Sequence, residues 1–184
     1  MTHIDSERPI FLVGFMGAGK TTVGRVLAKR LKRRFIDLDD MIEQIAGAAV
    51  QEIFRIRGEE AFRAIERDAI ELLTSAINVI VALGGGAYVA AANRDSLRSI
   101  GTTVWIDCPL EMCLSRISSD TSRPLLGSAG EMEKLLSRRR AAYAEADIRI
   151  QTGNRGPGTV ARAIIQALQE AMPPDQETRR PSSP

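Results

Sequence analysis

Apolar positions fall along this chain in short unbroken blocks, separated by longer stretches with helical spacing. Ile10 to Val13 is a continuous apolar run of a length that suits a buried strand. From Thr22 to Leu31, Val23, Val26, Leu27 and Leu31 recur at helical spacing around Arg25, Lys29 and Arg30. Phe35 to Asp39 reads as a second strand ending in acid, and a helix is expected to begin beside Asp39 or Asp40, both suitable caps. Residues 50–75 carry helical patterns interrupted at Gly58. Asn78 to Leu83 is a strongly apolar third strand, closed by Gly84-Gly85-Gly86. Asp95 to Ile100 belong to a helix, Thr102 to Asp107 form a fourth strand, and Pro109 opens a helix reaching about Ile117. Residues 118–130, rich in Ser, Gly and Asp, read as a loop. Glu131 to Tyr143 are helical, Asp147 to Gln151 form a fifth strand, and Pro157 starts a last helix ending near Met172.

Short strands alternating with helices predict a parallel sheet covered on both faces. No internal repeat and no linker divides the 184 residues, so one domain is expected over residues 9–172, after a loose leader at 1–8. The tail 173–184, made of Pro, Ser, Glu and Arg, is expected to be disordered.

Composition narrows the partners. With 44% apolar and 26% charged residues, the chain is an ordinary globular mix, and no apolar run approaches a membrane span. Its first residues lack the regions of a signal peptide. Cys108 and Cys113 are too few for a disulfide framework, so a reducing cytoplasm is the expected location. The one histidine, His3, lies in the leader, which leaves no His-based metal site or triad. A net charge of +2 and only 4% aromatics argue against nucleic acid as a partner. The basic clusters at 30–34 and 138–140 better suit an anionic small molecule, because a guanidinium fork matches carboxylate and phosphate.

The chemistry begins at residues 14–21, Gly-Phe-Met-Gly-Ala-Gly-Lys-Thr, a full Walker A phosphate loop between a strand and a helix. Gly14, Gly17 and Gly19 let backbone N–H groups turn inward around a phosphate, and the following helix adds its positive end. Lys20 can reach the β and γ phosphates, and the Thr21 hydroxyl can ligate Mg²⁺. The chain is small for a motor and has no Asn-Lys-x-Asp guanine signature. Acid appears at the end of strand two rather than strand three. On a strand, Asp37 and Asp39 would share a face and could both enter the crevice, one holding Mg²⁺ and the other facing a hydroxyl. The alternative is that Asp39 merely caps a helix and Asp37 lies at the surface. Arg63 could be a solvated helix charge, and Arg123 and Arg139 ordinary surface arginines. Arg123 nonetheless sits where a lid would be, and a lid arginine can close over the γ phosphate. Three glycines in a row after a buried strand make sense where backbone must approach a ligand closely.

Taken in order, Gly14 to Thr21, Asp37-Leu38-Asp39, Gly58-Glu59 with Phe62-Arg63, Gly84-Gly85-Gly86, Arg123-Pro124-Leu125-Leu126, and Arg139 with Tyr143 resemble the shikimate kinase family. The resemblance covers about residues 9–170. It implies an α/β fold, a three-layer sandwich like that of the P-loop nucleoside monophosphate kinases, with a five-stranded parallel sheet in the order 2-3-1-4-5. It implies ATP-dependent phosphorylation of the 3-hydroxyl of shikimate by a monomer, with Mg²⁺. Gly17, Ala18, Gly19, Lys20, Thr21 and Thr22 would hold the nucleotide phosphates, and Thr21 and Asp37 the hydrated Mg²⁺. Asp39 would bind the ring hydroxyls and orient or deprotonate the attacking one. Arg63 and Arg139 would grip the carboxylate, Gly85 with Gly84 and Gly86 would donate to the ring hydroxyls, and Arg123 would contact the moving phosphoryl group from a lid at 118–130. Arg116 and Arg155, with Pro157 close by, would flank adenine. The nearest alternatives are a gluconate kinase and then a nucleoside monophosphate kinase. A nucleotide-binding module without enzymatic activity is the alternative of another class, separated by measuring ATP turnover with an acceptor.

Overall fold

Among the described residues, five short strands line up in parallel in the order 2-3-1-4-5 of their sequence, as the family resemblance implies. The computed structural model describes residues 7–118 and 128–171. The strands are β1 (Ile10–Val13), β2 (Arg34–Asp37), β3 (Val79–Ala82), β4 (Thr102–Asp107) and β5 (Ile148–Gln151). Every residue of β1 and β3 is buried, which is why both read as unbroken apolar runs. The edge strand β5 alternates instead, burying Ile148 and Ile150 and exposing Arg149 and Gln151.

Among the described residues, seven α-helices connect and cover the sheet: α1 (Lys20–Leu31), α2 (Leu38–Ala46), α3 (Val50–Leu72), α4 (Ala91–Ile100), α5 (Leu110–Ser118), α6 (Ala129–Tyr143) and α7 (Pro157–Ala171). The chain leaves β1 in one lateral direction to reach β2, and in the other direction from β2 to β3, β3 to β4 and β4 to β5. Right-handed crossovers therefore place α1 on one face and α2 to α6 on the other. The last helix, α7, packs against α1. The result is three layers. None of the helices among the described residues is long and apolar enough to cross a membrane.

Local structure departs from the sequence reading at β2. The strand stops at Asp37, and Leu38 and Asp39 already belong to α2. Asp37 keeps extended backbone (φ −98°, ψ 124°), and its carboxylate caps the helix by accepting from Asp39 N at 3.1 Å. The two acids therefore meet through a helix cap, not through strand alternation. Gly58 interrupts α3 as expected, at φ +79°, which a residue with a Cβ rarely adopts. Asp95 to Ile100 belong to α4, as expected, and two short 3₁₀ turns, Leu73–Ser75 and Ala87–Val89, were not foreseen. Helix α6 starts at a reciprocal cap in which Ser128 Oγ accepts from Glu131 N and Glu131 accepts from Ser128 N. Of the expected leader, Glu7 accepts from Asn78 N and Arg8 accepts from Arg33 through their carbonyls, while residues 1–6 lie outside the described residues. So do the tail from 173 and most of the expected lid, including Arg123.

Candidate active site

All the groups expected to carry chemistry, where described, lie at the carboxyl ends of the parallel strands. The phosphate loop leaves β1 and enters α1 at Lys20. Gly17 has φ +73°, and a Cβ there would lie 2.5 Å from the Cys113 carbonyl oxygen. Gly14 is equally constrained, with φ +144° and the Ile106 carbonyl oxygen 2.7 Å from where a Cβ would sit. Any side chain would push the loop off β4 and α5. Lys20 Nζ donates to the Gly14 and Phe15 carbonyls, both at 2.9 Å, so the ammonium folds back over the loop. Thr21, in the first turn of α1, donates to Asp37 Oδ2 at 2.7 Å. The two residues expected to share a metal are thus neighbours.

The glycine triplet follows β3 and is the point where the remaining groups converge. A Cβ at Gly84 would stand 2.7 Å from Asp39 Oδ1, one at Gly85 3.2 Å from Arg139 Nη1, and one at Gly86 2.8 Å from the Arg63 guanidinium. Gly85 also lies against the phosphate loop, near Met16 N and Gly14 O. None of the three has positive φ. They are glycines because a carboxylate and two guanidinium groups occupy the space that side chains would take. Tyr143 Oη donates to the Gly85 carbonyl at 2.5 Å, Asn93 Nδ2 to Ala87 at 3.0 Å, and Arg94 to Val89 at 2.8 Å. These bonds fix the backbone on which the convergence depends.

Two contributors were not foreseen. Glu66, 2% exposed, accepts from Arg63 Nη1 at 2.8 and 3.0 Å and so aims the guanidinium at Gly86. Burial pushes the Glu66 carboxyl up; Arg63 opposes that, the Asp39 charge adds to it, and Arg139 opposes it more weakly. Asn93 is the other. Its signal was slight: a polar residue in a helix, with nothing to say that it is buried. Glu66 stands three residues from Arg63 on one helix, a spacing that could have suggested the pair.

On the far side of the loop, a cleft of about 160 Å³ is lined by Ala18, Gly19, Thr22, Arg116, Arg155 and Pro157, among others. Arg116 Nη1 donates to the Gly17 carbonyl at 3.1 Å. Arg155 folds back onto Thr152, its Nε 3.2 Å from that carbonyl. A larger cleft of about 600 Å³ lies beside it, bordered by Cys108, Arg140, Arg149 and Thr152. None of Asp39, Arg63, Arg139 or the glycine triplet lines it, so its size does not make it the acceptor pocket.

A phosphate loop at a sheet's carboxyl edge, facing a carboxylate and paired guanidinium groups, defines the class of P-loop kinases that act on small anionic metabolites. The shikimate kinase family model matches residues 16–169. A shikimate kinase of Halorhodospira halophila is 44% identical over 173 residues, covering 92% of this chain and 98% of that one. That of Persephonella marina is 41% identical over 159 residues, covering 86% and 97%. Among solved structures, the shikimate kinase from Acinetobacter baumannii in complex with shikimate superposes with a TM-score of 0.85 at 38% identity, covering 91% and 96%. The chain belongs to the shikimate kinase family. A gluconokinase from Sinorhizobium meliloti 1021, with a TM-score of 0.56 at 16% identity and coverage of 89% and 92%, shares the fold alone.

Proposed function

We propose that the chain transfers the γ-phosphoryl group of ATP to the 3-hydroxyl of shikimate, giving ADP and shikimate 3-phosphate. One observation carries the reading: Gly84 to Gly86 bring Asp39, Arg139, Arg63 and the phosphate loop against a single short backbone segment. Those groups suit an acid whose ring hydroxyls must be presented to a nucleotide's phosphates. Arg63 and Arg139 grip the carboxylate, and the triplet's N–H groups donate to ring oxygens. Asp39 orients the attacking hydroxyl and takes its proton. Lys20 exchanges its loop carbonyls for phosphate oxygens, with the N–H groups of Gly17 to Thr22 around them. Arg116, Arg155 and Pro157 flank adenine, and Arg123 closes over the moving group, excluding water.

Thr21 and Asp37 fit Mg²⁺. They are two oxygen donors 2.7 Å apart at the mouth of the phosphate loop, and Mg²⁺ needs few protein ligands when phosphates supply the rest. When bound, Mg²⁺ supplies charge neutralisation to the phosphates. We take the working form to be a cytoplasmic monomer.

The test is ADP release in a coupled assay with Mg²⁺-ATP and shikimate, quinate, gluconate or a nucleoside monophosphate as acceptor. Shikimate should turn over fastest, and phosphorus NMR should locate the phosphate on the 3-hydroxyl. Turnover of gluconate or a nucleotide without that of shikimate would overturn the assignment. Nucleotide binding with no turnover of any acceptor would leave only a binding module.

A further inference from the structure

Cys108 and Cys113 take no part in the reaction above, yet both touch the phosphate loop or the arginine that braces it. Cys108 directly follows β4, and its sulfur accepts from Arg116 Nη1 at 3.6 Å. The same nitrogen donates to the Gly17 carbonyl. Cys113, in α5, donates its thiol to the Cys108 carbonyl at 3.9 Å, and its own backbone carbonyl abuts Gly17 with no room to spare. Neither cysteine is in a disulfide. Beside them lies Thr152, 2% exposed, whose hydroxyl is turned toward the Cys108 sulfur. Thr152 borders both clefts, and Cys108 opens on the larger one, which gives a small oxidant a way in.

The environment separates the two thiols. Cys108 is held down to about 6, chiefly by the Cys113 thiol; burial opposes this, and the nearby Thr152 hydroxyl and Arg116 charge add to it. Cys113 is pushed up by its hydrogen bond to Cys108 and by burial. At neutral pH the pair therefore holds one thiolate and one thiol, the form from which thiol oxidation proceeds.

We propose that Cys108 and Cys113 form a redox-active dithiol, open to peroxide, whose closure to a disulfide weakens ATP binding. The Cys108 thiolate attacks one peroxide oxygen. An S–O bond forms, the O–O bond breaks, and hydroxide leaves and is protonated to water. Sulfur loses two electrons and the peroxide gains them. The sulfenate oxygen takes over the Thr152 hydroxyl and the Arg116 guanidinium from the thiolate. The Cys113 sulfur then displaces that oxygen: an S–S bond forms, the S–O bond breaks, and the oxygen leaves with the Cys113 proton as hydroxide, which takes a proton from solvent to become a second water. Arg116 has lost the charge of the Cys108 thiolate, and any shift of the Cys113 backbone is felt at Gly17. The effect on ATP rests on the nucleotide placement proposed above, whereas the oxidation itself does not.

The full-length protein is treated with hydrogen peroxide, and thiols are counted before and after dithiothreitol. Peptide mass spectrometry should find a Cys108–Cys113 link, lost on reduction. KM for ATP should rise several-fold in the oxidised form while KM for shikimate holds, and dithiothreitol should restore it. Cys113→Ala should stop at a sulfenate on Cys108 that dimedone traps; Cys108→Ala should keep its ATP kinetics through the treatment. Two free thiols after peroxide has oxidised the methionines, or a complete disulfide with unchanged KM for ATP, overturns the proposal. Arg155→Ala in the reduced enzyme reports separately on adenine placement: normal ATP affinity there would fault the placement and not the dithiol.

Discussion

Lys20 is the residue for which the proposed phosphate role makes the sharpest prediction. Its ammonium donates to two loop carbonyls at 2.9 Å, bonds that phosphate oxygens could replace. Lys20→Ala should leave the circular dichroism spectrum unchanged and lower turnover by ~10³-fold, the scale of one lost transition-state charge contact. Near-normal turnover would remove Lys20 from the phosphate site. Asp39 stands against Gly84 and Arg139 against Gly85, but the two should fail differently. Asp39→Asn keeps the volume and loses proton acceptance, so kcat should fall while KM for shikimate changes little. Arg139→Ala opens the carboxylate grip, and losing hydrogen bonds to a charged group should raise KM for shikimate by about 10- to 100-fold. Initial-rate kinetics over both substrates separates the two. An unchanged KM in folded Arg139→Ala would take that residue out of the clamp.

The Gly84 to Gly86 segment shows what an element can do that none of its residues can do alone. A methyl at Gly84 would meet the end of Asp39, and one at Gly86 the end of Arg63, in both cases flexible side-chain tips. The fold should therefore tolerate either alanine while the site does not. Gly84→Ala should lower kcat, Gly86→Ala should raise KM for shikimate, and both should melt within a few degrees of wild type. Loss of the folded state in either variant would mean that the segment serves packing and not substrate. The unusual triplet was visible in the sequence, as was the phosphate loop, because glycine identity states directly where backbone must come close. What crowds the triplet was not legible from local pattern. Asp39, Arg63 and Arg139 lie far apart along the chain and meet only through the order of the sheet, so spacing alone left each with a bland alternative, and only the ordered family resemblance linked them. The end of β2 was misjudged for a different reason. Asp37, Asp39 and Asp40 are all chemically able to cap α2, and the choice is made by one side-chain hydrogen bond that spacing does not rank. Glu66 escaped because its burial depends on which way α3 faces after the break at Gly58.

For the molecule as a whole, the alternation of strand and helix and the apolar runs of β1 and β3 fixed the layered architecture. The crossover directions then gather the ends of β1, β2 and β3 around one crevice. The same gathering places the dithiol at the root of the phosphate loop, with a consequence for global stability. In the unfolded chain both thiols titrate near the ordinary value of 9.0, whereas in the native state Cys108 does so at about 6 and Cys113 only well above 9.0. Between pH 6 and 9 the unfolded state therefore binds one more proton than the native state, and stability rises with pH across that window. Above it the sign reverses, because the unfolded chain loses the second proton while native Cys113 keeps it. Below pH 6 both states hold both protons and the contribution vanishes. Urea unfolding of wild type and Cys108→Ala, both reduced, isolates this term from the other titrating groups. The wild-type advantage should grow from pH 6 to 8.5 by at most about 1.4 kcal/mol per pH unit. A difference that stays flat across the window would mean that the buried pair holds no thiolate at neutral pH, and it would remove the chemical basis for oxidation at Cys108.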